Sequence, residues 1–185
     1  RNGQVSGDEV RRVLAPRGVA LGSVLGERFT KPVPDALDDW THYLHSASNN
    51  AVSNDTAVAP PNSLQWVSSP RWTRHHDHMS SFTAMVSANG RLFYILDEGP
   101  RSQIQLPAEW SLIARDAYSG VLLWKRPLKN WVSPMFNLKS GPATLPRRVV
   151  AHGDRVYVAL GLGAPLSALD ATTGEIVHTY EMTKA

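Results

Sequence analysis

The strongest constraint on this chain is a phrase that occurs twice. Residues 114–124 read Ala-Arg-Asp-Ala-Tyr-Ser-Gly-Val-Leu-Leu-Trp, and residues 168–178 read Ala-Leu-Asp-Ala-Thr-Thr-Gly-Glu-Ile-Val-His. The two copies lie 54 residues apart, measured from Asp116 to Asp170 or from Gly120 to Gly174. Each places β-compatible apolar residues on both sides of an Asp-x-x-x-Gly turn. Aspartate accepts hydrogen bonds from backbone N–H groups further round such a turn, and glycine takes positive φ without a Cβ clash. Each phrase therefore predicts strand, tight turn, strand. A unit repeated at this spacing predicts a repeat architecture.

The strands around these turns extend the pattern. Residues 83–87 and 91–96 flank Asn89-Gly90, a strong two-residue hairpin signal. Residues 110–114 and 121–124 flank the first Asp turn. A first four-stranded meander is thus predicted over about 82–124, with a long polar excursion from Asp97 to Glu109. A second, over about 147–180, uses residues 147–151, 155–160, 166–169 and 175–180, with a turn at His152-Gly153-Asp154 that pairs Gly153 with Gly90. Four antiparallel strands in about this length is the size of one propeller blade. Two blades leave apolar sheet faces uncovered, so closure is expected to need further blades of the same polypeptide.

The N-terminal part differs. Val10, Val13 and Leu14 share one helical face, Asp8 and Glu9 suit a helix N-terminus, and Pro16 stops the helix. Residues 19–25 read as a buried strand. The Pro-containing stretch after Gly26 reads as a linker. Residues 40–78 alternate aromatics with turn-formers, and 64–67 are a short strand candidate. The chain starts in mid-pattern, which predicts a fragment of a longer protein. The expected organisation is an α/β remnant at 1–26, a linker and lead-in at 27–62, and propeller blades at 63–185. The fold class is mainly β: a partial β-propeller of about two four-stranded antiparallel blades, preceded by a helix–turn–strand remnant.

Composition narrows the function classes. Hydrophobic residues make up 42% and charged residues 19%, as in a globular chain. The net charge is only +3 and the basic residues are scattered, so no nucleic-acid groove is indicated. With no cysteine, disulfides, thiolate metal sites and cysteine nucleophiles are excluded. No apolar run is long enough for a membrane-spanning helix.

Two resemblances follow from these phrases. Residues 12–18, Arg-Val-Leu-Ala-Pro-Arg-Gly, resemble the late helix–turn–strand of class I S-adenosylmethionine-dependent methyltransferases, with Arg17 where that family often has glycine. The repeated Ala-x-Asp-x-x-Ser/Thr-Gly phrase, ending on Trp124, resembles the tryptophan-docking motif of quinoprotein-like propellers. There the indole packs between neighbouring blades; His178 stands at that position in the second copy, which weakens its contact. The stretch from Trp40 through Asn50 and Asp55 to Trp66 is similar to the lead-in of such propellers. Taken in order, the phrases resemble a group of bacterial proteins, well represented in planctomycetes, that join a methyltransferase-like domain to a quinoprotein-like propeller. The resemblance implies an extracytoplasmic location.

The densest polar cluster is Arg74-His75-His76-Asp77-His78. In extended backbone His76 and His78 share one side, as do His75 and Asp77. Imidazole and carboxylate suit zinc, copper or iron, so these four are metal-ligand candidates, with His42 and His45 as additional ligands if the lead-in folds back. The plainer alternative is a polar inter-blade loop. Asp97 and Glu98, with Arg101 or Arg115, are an acid/base candidate weighed against a loop-edge salt bridge. Trp110, Trp124 and Tyr157 are expected in packing. Gly161-Leu-Gly163 is too short a signal for a phosphate cradle.

The resemblance implies two functions of different class. One is a binding or scaffolding module that holds protein or small-molecule partners through propeller loops and sheet edges. The other is an alcohol or sugar dehydrogenase using pyrroloquinoline quinone (PQQ) with calcium, its site completed by blades outside this chain. Methyl transfer would belong to an upstream domain whose cofactor loop is not in this chain. Enzymatic activity is therefore left open by the sequence.

Overall fold

A computed structural model describes residues 5–57, 60–74, 81–103, 105–132 and 144–183. The chain divides into two compact units: Arg1–Asp38 with Asn54–Gln65, and Asp39–Ser53 with Trp66–Ala185. The protein is mainly β.

In the smaller unit, helix α1 spans Gly7–Val13. Ser6 caps it, its hydroxyl accepting from the Glu9 N–H at 3.2 Å. Asp8 and Glu9 sit in the first turn, Arg11 and Arg12 in the last, complementing the helix dipole. Strand β1 (Val19–Leu21) pairs antiparallel with β2 (Arg28–Thr30). The buried strand expected over 19–25 is thus a three-residue strand with exposed Val19 and Leu21. It pairs within the stretch read as a linker, and two strands alone bury little. Arg17 adopts φ of 65°. Its N–H donates to the Lys31 carbonyl, and the Lys31 N–H returns to Gly18, which fastens the turn to the hairpin.

The larger unit holds two four-stranded antiparallel meanders. The first runs β3 (Phe82–Ala88), β4 (Arg91–Asp97), β5 (Trp110–Asp116) and β6 (Leu122–Pro127), in that spatial order. The second runs β7 (Val149–His152), β8 (Arg155–Ala159), β9 (Leu166–Asp170) and β10 (Ile176–Tyr180). These are the predicted blades of a partial propeller. Arg147 and Arg148, read as strand, lie instead in a 3-10 turn, Leu145–Arg148, where Pro146 cannot donate to a ladder. Residues 64–67 form no strand. At Asn89 and Gly90 φ is 48° and 67°, the doubly positive signature of a type I′ hairpin. The second hairpin closes between His152 and Arg155, so Gly90 corresponds to Asp154 rather than to Gly153.

One core joins the two sheets. Ala84, Val86, Phe93, Ile95, Leu112 and Ala114 of the first pack with Val149, Ala151, Val156, Val158 and Leu169 of the second. The alternation of strand side chains makes this possible: these residues point to one face of each sheet. Trp131, fully buried, closes the core and donates its Nε1–H to the Thr83 hydroxyl at 3.1 Å. The opposite face of the first sheet carries a smaller cluster of Tyr94, Leu96 and Ile113.

Both sheets bulge at the same place. The ladder slips between Leu122 and Trp124, and again between Ile176 and His178. A bulge re-aims the side chain that follows it. In the first sheet that side chain is Trp124, whose indole Nε1–H donates to the Ala171 carbonyl of the second Asp turn at 3.0 Å. A Cβ on Gly174 would lie 2.7 Å from the indole ring. The first Asp turn receives Trp66 in the same way. Its Nε1–H reaches the Ala117 carbonyl at 3.0 Å, and a Cβ on Gly120 would lie 2.5 Å from its ring. The glycines thus serve both φ (72° and 75°) and close approach of an indole.

Candidate functional site

The Asp turns are structural. The Asp116 Oδ1 accepts from the N–H groups of Tyr118 and Ser119 and from the Ser119 hydroxyl. The Asp170 Oδ1 accepts from Thr172 and Thr173 at 2.8 and 3.1 Å. Those two N–H groups, and more weakly the charges of Arg155 and Arg91, hold the Asp170 carboxyl below the usual carboxylate range.

Asp97 does not pair with Arg101 or Arg115. Its Oδ2 accepts from Arg74 Nη1 at 3.0 Å, and both side chains are almost fully buried. Its Oδ1 accepts from the Gly99 and Glu109 N–H groups at 2.9 and 2.8 Å. The Arg74 guanidinium also donates to the carbonyls of Pro100, Gln103 and Leu106. The pair therefore staples the 97–109 excursion, with both carboxylate oxygens engaged in holding it. Glu98 binds Lys125 at 3.0 Å at the border of a cleft of about 490 Å³ that also takes in Glu109 and Trp110. Arg115 is spent on the Tyr94 hydroxyl and on the carbonyls of Gly120 and Ser69.

The metal candidates His75, His76, Asp77 and His78 lie outside the described residues. Among the described residues no group of three or more His, Asp or Glu is arranged to hold a metal ion. His42 and His45 belong to a strap instead. The backbone of Trp40 and Thr41 bridges the inner strands: the Ser87 N–H donates to Trp40, and the Ala151 N–H to Thr41. The Asp39 carboxylate accepts from the Asn89 N–H. Trp40 meets His45 edge-on, and the Thr41 hydroxyl lies 2.7 Å from His42 Nδ1. Burial, and then the neighbouring His152, depress the His42 pKa.

A second cleft, of about 460 Å³, lies on the face of the second sheet turned away from the first. Val150, Tyr157, Ala159 and Leu166 form its floor; Arg147, Arg148 and Thr183 border it. Arg148 is steadied by Trp131, its Cζ 5.5 Å from the ring centroid and its Nη1 3.5 Å from the Trp131 carbonyl. Gly161 belongs to this wall for packing reasons, since a Cβ there would strike the Lys129 carbonyl. Sequence reading placed Tyr157 in packing and passed over both arginines. The signal was there: register sets Tyr157 at the place that Phe93 holds in the first sheet.

No family model and no curated protein matches the chain.

Proposed function

We propose that this chain is a sector of a quinoprotein-like propeller that acts as a binding and scaffolding module. The observation that carries the reading is the outer side of the second sheet. Its edge strand β10 has no further strand partner among the described residues. Exposed Ile176 and Val177 on that strand suit an extended peptide added as a fifth strand. The two indole-on-glycine seats support the propeller assignment, because they repeat the contact that the tryptophan-docking motif makes between blades. The left-handed φ of Arg17, where the methyltransferase family often has glycine, supports the same origin for the N-terminal unit.

The oxidoreductase alternative has less support. Asp97, the strand-end carboxylate weighed for acid/base work, is engaged by Arg74, Gly99 and Glu109. It does not fit a calcium-held quinone.

The test compares two assays on the intact protein. Extended peptides from a random strand-forming library should be captured, and Val177→Lys should weaken capture about tenfold by placing a charge on the edge. Dye reduction with alcohols and sugars, in the presence of PQQ and calcium, should stay at background. Sustained turnover, or capture indifferent to Val177→Lys, would overturn the reading.

A further inference from the structure

The tip of the first hairpin is where the first sheet, the second sheet and the strap meet, all within the larger unit. The Asn89 N–H donates to the two oxygens of Asp39, on the strap, at 3.1 and 2.9 Å. The Asn89 side-chain Nδ2 donates to Asp154 Oδ1, on the hairpin of the second sheet, at 3.0 Å. Arg91 supplies the positive charge of this corner. Its Nη1 donates to the same Asp154 oxygen at 2.8 Å and its Nη2 to the Thr172 hydroxyl at 3.0 Å. One residue, Asn89, thus ties the first sheet to the strap through its backbone and to the second sheet through its amide.

The corner depends on that amide being neutral. Asp39 and Asp154 both accept hydrogen from Asn89, and a carboxylate of the same shape would have none to give. The sequence works against this. Asn89 is exposed to water and glycine follows it. The peptide nitrogen after an asparagine can attack the side-chain carbonyl carbon, and a following glycine puts no Cβ in the way. The positive φ at both positions of the type I′ hairpin favours this same Asn-Gly pair. Asn2 is the only other asparagine of the chain that precedes glycine.

We infer that Asn89 is a deamidation site whose product loosens the joint between the two sheets and the strap. The Gly90 nitrogen bonds to Asn89 Cγ, the Cγ–Nδ2 bond breaks, and Nδ2 departs as ammonia with the Gly90 proton. One water then opens the cyclic imide, giving aspartate or isoaspartate according to the carbonyl attacked. No other reactant is needed. Either product sets a carboxylate against Asp154 in place of a donor, and like charges at that distance repel. Arg91 brings a single positive charge to what become three carboxylates. Isoaspartate also adds a carbon to the main chain, which a two-residue hairpin loop cannot take up in register.

The test starts with the intact protein held in warm, mildly alkaline buffer. Peptide mapping by mass spectrometry should show exchange of NH2 for OH at Asn89, resolved from any at Asn2, and isoaspartate methyltransferase should label the same peptide. Deuterium exchange in the strap and in the β7–β8 hairpin should then be at least about tenfold faster in the modified protein. Asn89→Asp should reproduce the faster exchange by charge alone, and more strongly than Asn89→Gly, which only removes the donor. Asn89→Asp combined with Asp154→Asn exchanges amide and carboxylate across the joint and should bring exchange back to that of the unmodified protein. Product at Asn2 without product at Asn89 would overturn the inference. So would a modified protein whose strap and β7–β8 hairpin exchange at the original rate, or a double variant no better protected than Asn89→Asp.

Discussion

The two sheets share strand order, hairpin plan, bulge and Asp turn, yet they spend their polar groups in opposite directions. In the first, Arg91 reaches across to the second sheet, donating to Asp154 at 2.8 Å and to the Thr172 hydroxyl at 3.0 Å. Arg126 likewise reaches the Gly174 carbonyl. In the second, the matching Arg155 turns back on its own Asp170 at 3.2 Å. The first sheet holds its long 97–109 loop with a buried ion pair; the second replaces that loop with the short Gly161 turn. Trp124 is seated and His178 stands in an exposed ring contact with Tyr180. The same backbone plan thus makes one sheet whose polar groups reach its neighbour and one whose matching arginine turns back on its own turn.

The largest test of this contrast is the buried pair. Asp97→Ala leaves the Arg74 guanidinium charged and uncompensated, and should cost about 3–5 kcal/mol in chemical denaturation. The matching cut in the second sheet, Asp170→Ala, removes a solvent-facing turn-builder and should cost far less. Equal losses would break the contrast.

Next comes the bulged position. Trp124→Ala should cost about 3 kcal/mol, the low end for a large aromatic because the ring is half-buried. His178→Ala should change stability by less than about 0.5 kcal/mol. A loss at His178 as large as at Trp124 would mean that its ring, too, is seated.

The glycine seats should give smaller and matched effects. Gly120→Ala and Gly174→Ala each force an L side chain into the left-handed region, at about 1–2 kcal/mol, and push on an indole. Similar losses at both, read from urea midpoints, would confirm that Trp66 and Trp124 make equivalent contacts. A neutral Gly120→Ala would separate them.

The smallest effect is a pH dependence of the strap. His42 has a folded pKa below its unfolded value, so the unfolded chain binds more protons. The contribution is fully present above the unfolded pKa of about 6.5 and is lost as pH falls below it. Thermal melts between pH 8 and 5 should show this slope, and His42→Gln should flatten it. An unchanged slope in the variant would move the titration elsewhere.

Sequence alone determined the repeat, the strands of both sheets and the chemistry of their Asp turns. These depend on residues close together in the chain: alternation, a side-chain oxygen two or three residues from its N–H partners, glycine where φ is positive. Three things were decided only by tertiary structure. Arg74 and Asp97 lie 23 residues apart, and nothing local marks them as partners. Trp124 belongs to one Asp turn in sequence but rests on the next one in space. The cleft on the second sheet forms only once β7, β8 and β9 pair in register and bring Val150, Tyr157 and Leu166 to one face. Local rules shape hairpins; which faces meet follows from long-range packing that short spacing does not encode.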